Sequence, residues 1–342
     1  MRRPSDLILN NRGVALILVL WVLIILSAIT GQFSHSMRGE IKSGVYAKEQ
    51  AQAYYNAHAG IYRALHGVIH AKEPPLNTGD ESESTDSENE TVDFRVNTDI
   101  PVQDFGQGKF KVRIGNESGK INVNYARSDL LKLMAQAFTE DDKDADIIVD
   151  SIMDWRDKDS NYRLNGAENN YYQSLPEPYK CRNGYFRTLD EVLLVRGVTR
   201  EMFYGGLKEV VSVAVVGKLS AKAQKNYNRK EMVNINAASE QVLGLFPVLD
   251  DQAIEGIRQY RSTKDISSFS ELVGIIGADP AVELKKYIDY KNGRFYTLDS
   301  TGWMIDNGAK WRIRALFAEK STPSKGYRII QWNDFVSDVP VQ

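Results

Sequence analysis

Residues 14–30 read VALILVLWVLIILSAIT, without a charge. As a helix these roughly 17 residues extend about 26 Å, the short end of a bilayer-spanning length. Arg2, Arg3 and Arg12 precede them, and basic residues flanking a span hold that side in the cytoplasm. A cleaved secretory signal peptide is the competing reading. Against it, the run is slightly long, its end lacks a clear Ala-x-Ala site, and the helical pattern does not stop there.

Beyond the run, Phe33, Met37, Ile41, Val45, Ala51, Tyr55, Ile61, Leu65 and Ile69 recur at steps of four or six. No proline falls between Pro4 and Pro74. The pattern predicts one helix over 14–71, about 87 Å long, lipid-compatible in its first third and half-buried in the rest. Gly31, Gly39 and Gly44 each cost about 1 kcal/mol against alanine, which points to a bendable middle or to close helix packing. Pro74-Pro75 stops the helix. Residues 79–93, GDESESTDSENETVD, hold seven acids and no base, the composition of a solvated linker.

Alternating segments at 93–97 and 109–114 read as strands, as do 295–304, 311–319 and 327–335, the last three separated by turns at 306–308 and 323–326. Residues 121–290 are mostly helical in pattern. The simplest topology is α+β: a long N-terminal helix on an antiparallel sheet, with a large helical domain inserted between strands. The boundaries are 1–13, 14–73, 74–120, 121–290 and 291–342.

The helical block contains a diverged repeat. Ile121-Asn122-Val123-Asn124-Tyr125-Ala126 matches Val233-Asn234-Ile235-Asn236-Ala237-Ala238, Trp155-Arg156 matches Tyr260-Arg261, and Glu191 and Glu271 each stand six residues before a glycine, Gly197 and Gly277. The first copy carries an insertion of about 25 residues after Arg156. The second copy resembles a helix-hairpin-helix unit. Such units bind nucleic-acid backbone through glycine-rich hairpins, but this hairpin is Phe246-Pro247-Val248-Leu249-Asp250-Asp251. With no glycine and two carboxylates, it reads as a packing scaffold.

Composition narrows the chemistry. The 342 residues carry 43 Lys+Arg against 45 Asp+Glu, a net charge of −2, which argues against a general nucleic-acid binder. The one cysteine, Cys181, excludes an intrachain disulfide. The histidines are His35, His58, His66 and His70, so imidazole catalysis and His-ligated zinc are nearly removed from the bulk of the chain. Any metal there needs oxygen ligands. The insertion supplies them: Asp157, Asp159, Asn161, Asn165 and Glu168 fall at positions 1, 3, 5, 9 and 12 of a calcium-type loop. Tyr162 stands at position 6, where glycine normally makes the turn, so a regular EF-hand is not expected. Asp157, Asp159, Asn161 and Glu168 are the candidate calcium ligands, with Asp150 and Asp154 near enough to help. The competing reading is a set of Asx turns paired to Arg156, Lys158 and Arg163. A second ion could sit among Glu140, Asp141, Asp142, Asp144 and Asp146, acids that also suit a helix N-terminus. Tyr171, Tyr172, Tyr179 and Tyr185 could stack on sugars, but no carboxylate pair singles itself out for glycosidase chemistry.

Arg12-Gly13 directly before the apolar helix resembles a type IV prepilin signal. The resemblance implies cleavage by prepilin peptidase after Gly13, with Val14 as the N-methylated terminus. Most pilins carry Glu at mature position 5; here it is Leu18. A carboxylate in hydrocarbon costs about 3 kcal/mol or more unless paired, and in pilins its partner is a neighbour's terminal amine. Leu18 needs no such partner.

Together RGVALILVLWVLIILSA, GKINVN, DWRDKDSNYRLNGAENNYY, DEVLLVRGVT and VNINAAS resemble one family over nearly the whole chain: the large K-type minor pseudopilins of bacterial type II secretion (general secretion pathway protein K). The resemblance implies a pilin-like helix and sheet, calcium in the inserted domain, one or two ions, and a non-enzymatic place at the pseudopilus tip. It implies I- and J-type minor pseudopilins, other pseudopilins and the inner-membrane secretion platform as partners, and no nucleic acid. It implies a single-pass inner-membrane protein with its C-terminal domain in the periplasm. A membrane-anchored DNA-binding pilus component and a carbohydrate-acting enzyme using Asp/Glu are the alternatives. The leader reading predicts a mature N-terminus at Val14 by mass spectrometry of protein from cells with prepilin peptidase, and an intact leader without it. Cleavage near residue 28 would contradict it.

Overall fold

The computed structural model describes residues 11–70, 93–214, 232–305, 309–320 and 326–336. Most of the leader and of the acidic segment, and the turn at 306–308, lie outside these residues. Helix α1 (Asn11–His70) is unbroken over 60 residues and includes Gly13 and Val14. Its first part is long and apolar enough to cross a membrane, with a mean hydropathy of 2.4, and Leu18 lies exposed on it. Gly31, Gly39 and Gly44 meet no atom of the chain within 4 Å of where a Cβ would stand. Packing against the rest of the described chain does not account for them.

The second half of α1 is covered. Ala53, Ala57, Ile61, Ala64, Leu65 and Val68 are buried, steps of three and four that place them on one helix face. They lie on a five-stranded antiparallel sheet. Its first strands are β1 (Gln103–Phe105) and β2 (Gly108–Asn116). Four two-residue strands follow within the helical region: β3 (Ile121–Asn122), β4 (Val211–Ser212), β5 (Val233–Asn234) and β6 (Ile288–Asp289). Then come β7 (Phe295–Met304), β8 (Lys310–Glu319) and β9 (Tyr327–Asn333). The sheet order is β1-β2-β7-β8-β9. Phe110, Val112 and Ile114 of β2 and Tyr296 and Leu298 of β7 face the helix, buried, and alternate with polar residues on the other face. Small residues let helix and sheet approach: a Cβ at Gly302 would overlap the backbone of Ala53 and Ala57, and one at Gly60 would overlap the hydroxyl of Ser300.

β2 and β7 are neighbours in the sheet but are separated in sequence by the whole helical domain. That domain leaves and re-enters at one end, where Asn116 pairs with Tyr296. Along α1, Asn56 donates to the Trp303 carbonyl at 3.0 Å and Gly60 lies at Ser300, so α1 runs toward Tyr296. The helical domain therefore sits at the end of the sheet farther from the apolar segment.

Residues 93–97 are not the expected strand. The chain turns at Val96-Asn97, with Asn97 at φ 57°. The Asn97 amide reaches the carbonyls of Asn236 (3.4 Å) and Ala238 (3.3 Å). Arg95 donates to the carbonyls of Arg261, Ser262 and Thr263 at 3.2–3.4 Å. These residues anchor the helical domain rather than extend the sheet. Glu117 adds a buried tie, accepting from Ser212 (2.6 Å) and Thr297 (2.8 Å) and pairing with Lys120 (3.2 Å). Burial pushes its carboxyl up, and Lys120 and the two hydroxyls outweigh that, holding it below the usual carboxylate range.

The helical domain contains α2 (Ser128–Gln136), α3 (Asp142–Arg156), α4 (Asn169–Gln173), α5 (Glu240–Leu243), α6 (Asp251–Thr263), α7 (Phe269–Ile276) and α8 (Ala278–Leu284), among shorter turns. The repeat is visible bond for bond. β3 pairs in parallel with β4, and β5 with β6. Asn124 donates to the carbonyls of Phe186 and Val213 (3.0 Å each) and accepts from the Phe186 N–H (2.7 Å). Asn236 donates to those of Ile266 (2.8 Å) and Tyr290 (3.0 Å) and accepts from the Ile266 N–H (2.8 Å). Arg156 holds the carbonyls of Val123 (2.6 Å) and Ala126 (2.8 Å), and Arg261 holds those of Ile235 and Ala238 (2.7 Å each). Hydrogen bonds to a charged donor contribute about 1.5–3 kcal/mol each. Gly197 and Gly277 share φ 89°, a left-handed conformation that a Cβ disfavours.

Candidate functional site

The insertion is the chain between Arg156 and Phe186, whose second-copy counterpart is only the step from Arg261 to Ile266. α3 delivers its start. Asp141 caps that helix by accepting from the Lys143 N–H at 2.9 Å, and Trp155 near its end is buried against Tyr172 and Phe186. Asp157 follows as the C-cap. The loop returns to Glu168, the N-cap of α4, which is 1% exposed.

Three of the four sequence candidates converge: one carboxylate oxygen each from Asp157, Asp159 and Glu168 lies within 4.8 Å of the others. Oxygens on a calcium shell of about 2.3–2.6 Å radius stand no farther apart than about twice that radius. Asn161 is exposed in the same loop, and its N–H donates to Asp159 Oδ1 at 2.9 Å, making an Asx turn. Both Glu168 oxygens, Asp157 Oδ1 and Asn183 Oδ1 are buried without a hydrogen-bond partner. Asn183 was missed by sequence reasoning. Its amide N–H donates to the Asp159 backbone carbonyl at 2.8 Å, which holds the side chain against the loop. It lies beyond the twelve-residue window, in the PYKCRNGY stretch; an asparagine in a turn there was the available signal.

Asp150 and Asp154 do not join the cluster. Asp150 accepts from the Asn165 backbone (3.0 Å) and side chain (3.3 Å). Buried Asp154 pairs with Arg163, which also reaches Asp157 at 2.7 Å. Gly166 is required here because a Cβ would overlap the Asp154 carboxylate. Ion pairing and an oxygen cluster thus coexist in one loop. The acids at 140–146 disperse: Asp142 accepts from Gln136 (2.7 Å), Asp146 pairs with Lys132 (2.7 Å), and Asp141 is the cap just described. Lys158 has no ion pair to the loop carboxylates among the described contacts, and Arg156 is spent on carbonyls.

The electrostatics follow from this arrangement. Burial pushes the Glu168 carboxyl up, and Asp154, Asp157 and Asp159 push it further. Burial likewise raises Asp154 against the pull of Arg163. Unpartnered buried carboxylate oxygens in a like-charged group are unfavourable alone and favourable around a cation. The other candidates differ in burial, and Tyr185 is exposed. Tyr172 is fully buried among Trp155, Tyr171 and Tyr179. Cys181 is buried, and burial raises its thiol pKa, which lowers its reactivity. In the 246–251 hairpin Phe246 and Leu249 are buried, and Asp250 caps α6 by accepting from the Ala253 N–H at 2.7 Å.

Residues 113–215 match the family model described as Type II secretion system (T2SS), protein K. The chain is 23% identical to a type II secretion system protein K of Escherichia coli (strain K12), over 94% of this chain and 98% of that one. It is 28% identical to the type II secretion system protein K of Pectobacterium carotovorum subsp. carotovorum, over 30% of this chain and 31% of that one. Its fold is similar to a chain in the crystal structure of the GspK-GspI-GspJ complex from the enterotoxigenic Escherichia coli Type 2 Secretion System. The TM-score is 0.55 at 15% identity, covering 85% of this chain and 98% of that chain.

The raised Glu168 pKa has a defined sign. Without a cation, the folded chain binds this proton more tightly than the unfolded chain does. The cost of the charge is absent below the unfolded pKa. It grows as pH rises through the folded pKa and is complete above it. In metal-free buffer at pH 7, Glu168→Gln is expected to raise the melting temperature of the full chain in detergent, and to flatten its decline as pH rises above the unfolded carboxyl pKa. A lower melting temperature for the variant in EDTA would contradict this.

Proposed function

We propose that this chain, a member of the type II secretion system protein K family, caps the pseudopilus as its large minor pseudopilin. The observation that carries the tip position is the placement of the helical domain at the sheet end remote from the apolar helix. Pilin-like subunits stack with their long helices side by side. A large domain at that end obstructs any subunit added above, and Leu18 in place of a carboxylate removes the need for a neighbour's amine there.

The apolar half of α1 anchors the precursor in the inner membrane. Arg2, Arg3 and Arg12 keep its N-terminus cytoplasmic and so put the head in the periplasm. Phe33, Met37, Ile41 and Val45 are 47–63% exposed in the single chain, and the open glycines nearby let other helices come close. The partners on this reading are I- and J-type minor pseudopilins, the proteins that accompany the structural relative in its complex. The chain's role is assembly, with no catalytic residue.

Calcium is the cation that suits the insertion. The donors are hard oxygens, and Asp157, Asp159 and Glu168 would hold it, with the Asn183 carbonyl oxygen as a fourth donor. The ion would neutralise the cluster and tie α3 to α4. Two measurements test the proposal. Calcium at 1 mM is expected to raise the melting temperature of the full chain over that in EDTA by several degrees, and Asp157→Ala with Glu168→Ala to abolish the rise; an equal rise in that variant would exclude the site. Co-expression with I- and J-type subunits is expected to yield a stable complex with one copy of this chain. Multiple copies stacked in a filament would overturn the capping role.

A further inference from the structure

One surface runs against the charge of the chain, which is −2 overall. The sheet face turned away from α1 is basic. Strand register sets Lys109, Trp303 and Lys310 in one row, Lys111, Thr301 and Arg312 in the next, and Arg113, Asp299 and Arg314 in a third. Successive rows are two residues apart along the strands, about 6.8 Å. Asp299 in the third row is already engaged by Arg312 (2.7 Å) and Arg314 (2.9 Å), and the first row ends on β1 at Asp104, opposite Lys109. Lys109 and Lys111 reach sideways to Asp104 (3.2 Å) and Asp99 (2.9 Å), acids that are 78% and 87% exposed. Exposed pairs of this kind contribute about 0–1 kcal/mol, so an incoming carboxylate exchanges with them at little cost. Lys111, Arg113, Thr301, Trp303 and Arg312 border an open cavity of about 340 Å³ with Asp299.

We propose that this face docks an extended acidic segment of a separate protein, with acidic residues at every second position. Three observations favour that occupant. Side chains on one side of an extended segment repeat at about 6.8 Å, the interval between the rows. The charge is complementary, and Trp303 offers a flat apolar surface at one end of the row series. The face also lies opposite the side of the sheet that carries α1, so stacking of α1 against other long helices leaves it open. A nucleic-acid strand fits less well, because Trp303 is the one aromatic in the three rows and stacking on successive bases needs several. The inference stands on the face alone and does not require the capping role.

The test is fluorescence anisotropy of a labelled peptide of about 12 residues, alternating Glu and Thr, titrated with the full chain in detergent. The control peptide has the same composition with its Glu residues in one block. The alternating peptide is expected to bind at least about threefold tighter than the blocked one, and to weaken as salt rises. Lys111→Glu with Arg113→Glu is expected to weaken it about tenfold or more. Thr301→Glu, which leaves each of the named ion pairs in place, is expected to weaken it as well, and it serves as the test if the double variant unfolds. No binding to the unaltered chain at 1 mM, equal binding of the two peptides, undiminished binding by Thr301→Glu, or tighter binding of single-stranded DNA of the same length would each overturn the proposal.

Discussion

The contact on which the rest of the structure depends is the close approach of α1 to β7. Ala53, Ala57 and Gly60 on the helix meet Ser300 and Gly302 on the strand with no room for a further methyl group. Overpacking such a seam costs typically 1–3 kcal/mol, and at Gly302 the crowding is against the backbone of α1, which cannot rotate away. The seam sets the height of the sheet along a 60-residue helix. It thereby sets which end of the β2–β7 pair lies far from the apolar segment, and that is the end through which the helical domain enters and leaves.

That domain is mounted through its second repeat copy. Asn97 and Arg95 engage carbonyls at 236–238 and 261–263, and Asn234 donates to Ser118 at 3.3 Å and Asn292 at 2.7 Å. The first copy is tied to the sheet chiefly through Glu117 and Ser212, and it carries the insertion with the carboxylate cluster. Duplication supplied two equivalent asparagine–arginine frames, and the divergence between them separates the copy that carries the mount from the copy that carries the carboxylate cluster. A helix-hairpin-helix-like unit can therefore serve as a building element through packing and capping. Its hairpin buries Phe246 and Leu249 and spends Asp250 on a helix cap.

Much of this was legible in the sequence because the signals are local. The periodicity of α1, the alternation in β2, β7 and β8, and the paired Asn-x-Asn motifs each reflect geometry repeated within a few residues. The calcium-type spacing located Asp157, Asp159 and Glu168 because one short loop supplies all three. What was not legible depends on long-range contacts. Residues 93–97 alternate like a strand, yet Asn97 adopts a left-handed turn to reach Asn236, far away in sequence. Asp154 looked available, but Arg163 lies back on it, and Asn183 reaches the Asp159 carbonyl next to Gly184, whose N–H is held by the Trp155 carbonyl at 3.1 Å.

Arg95 has a wider consequence. At the C-terminus of α6 the carbonyl ends of the helix dipole are met by its guanidinium, a positive charge built into the chain. At the matching end of α3 in the first copy the described arginine, Arg163, pairs with the Asp154 and Asp157 carboxylates instead of carbonyls, and that end faces the rest of the carboxylate cluster. The same electrostatic demand is met permanently at the mount and, on the proposed reading, by a dissolved ion at the outer unit. On that reading the outer unit draws part of its rigidity from the surrounding solution, while the joint to the sheet draws on groups of the chain itself.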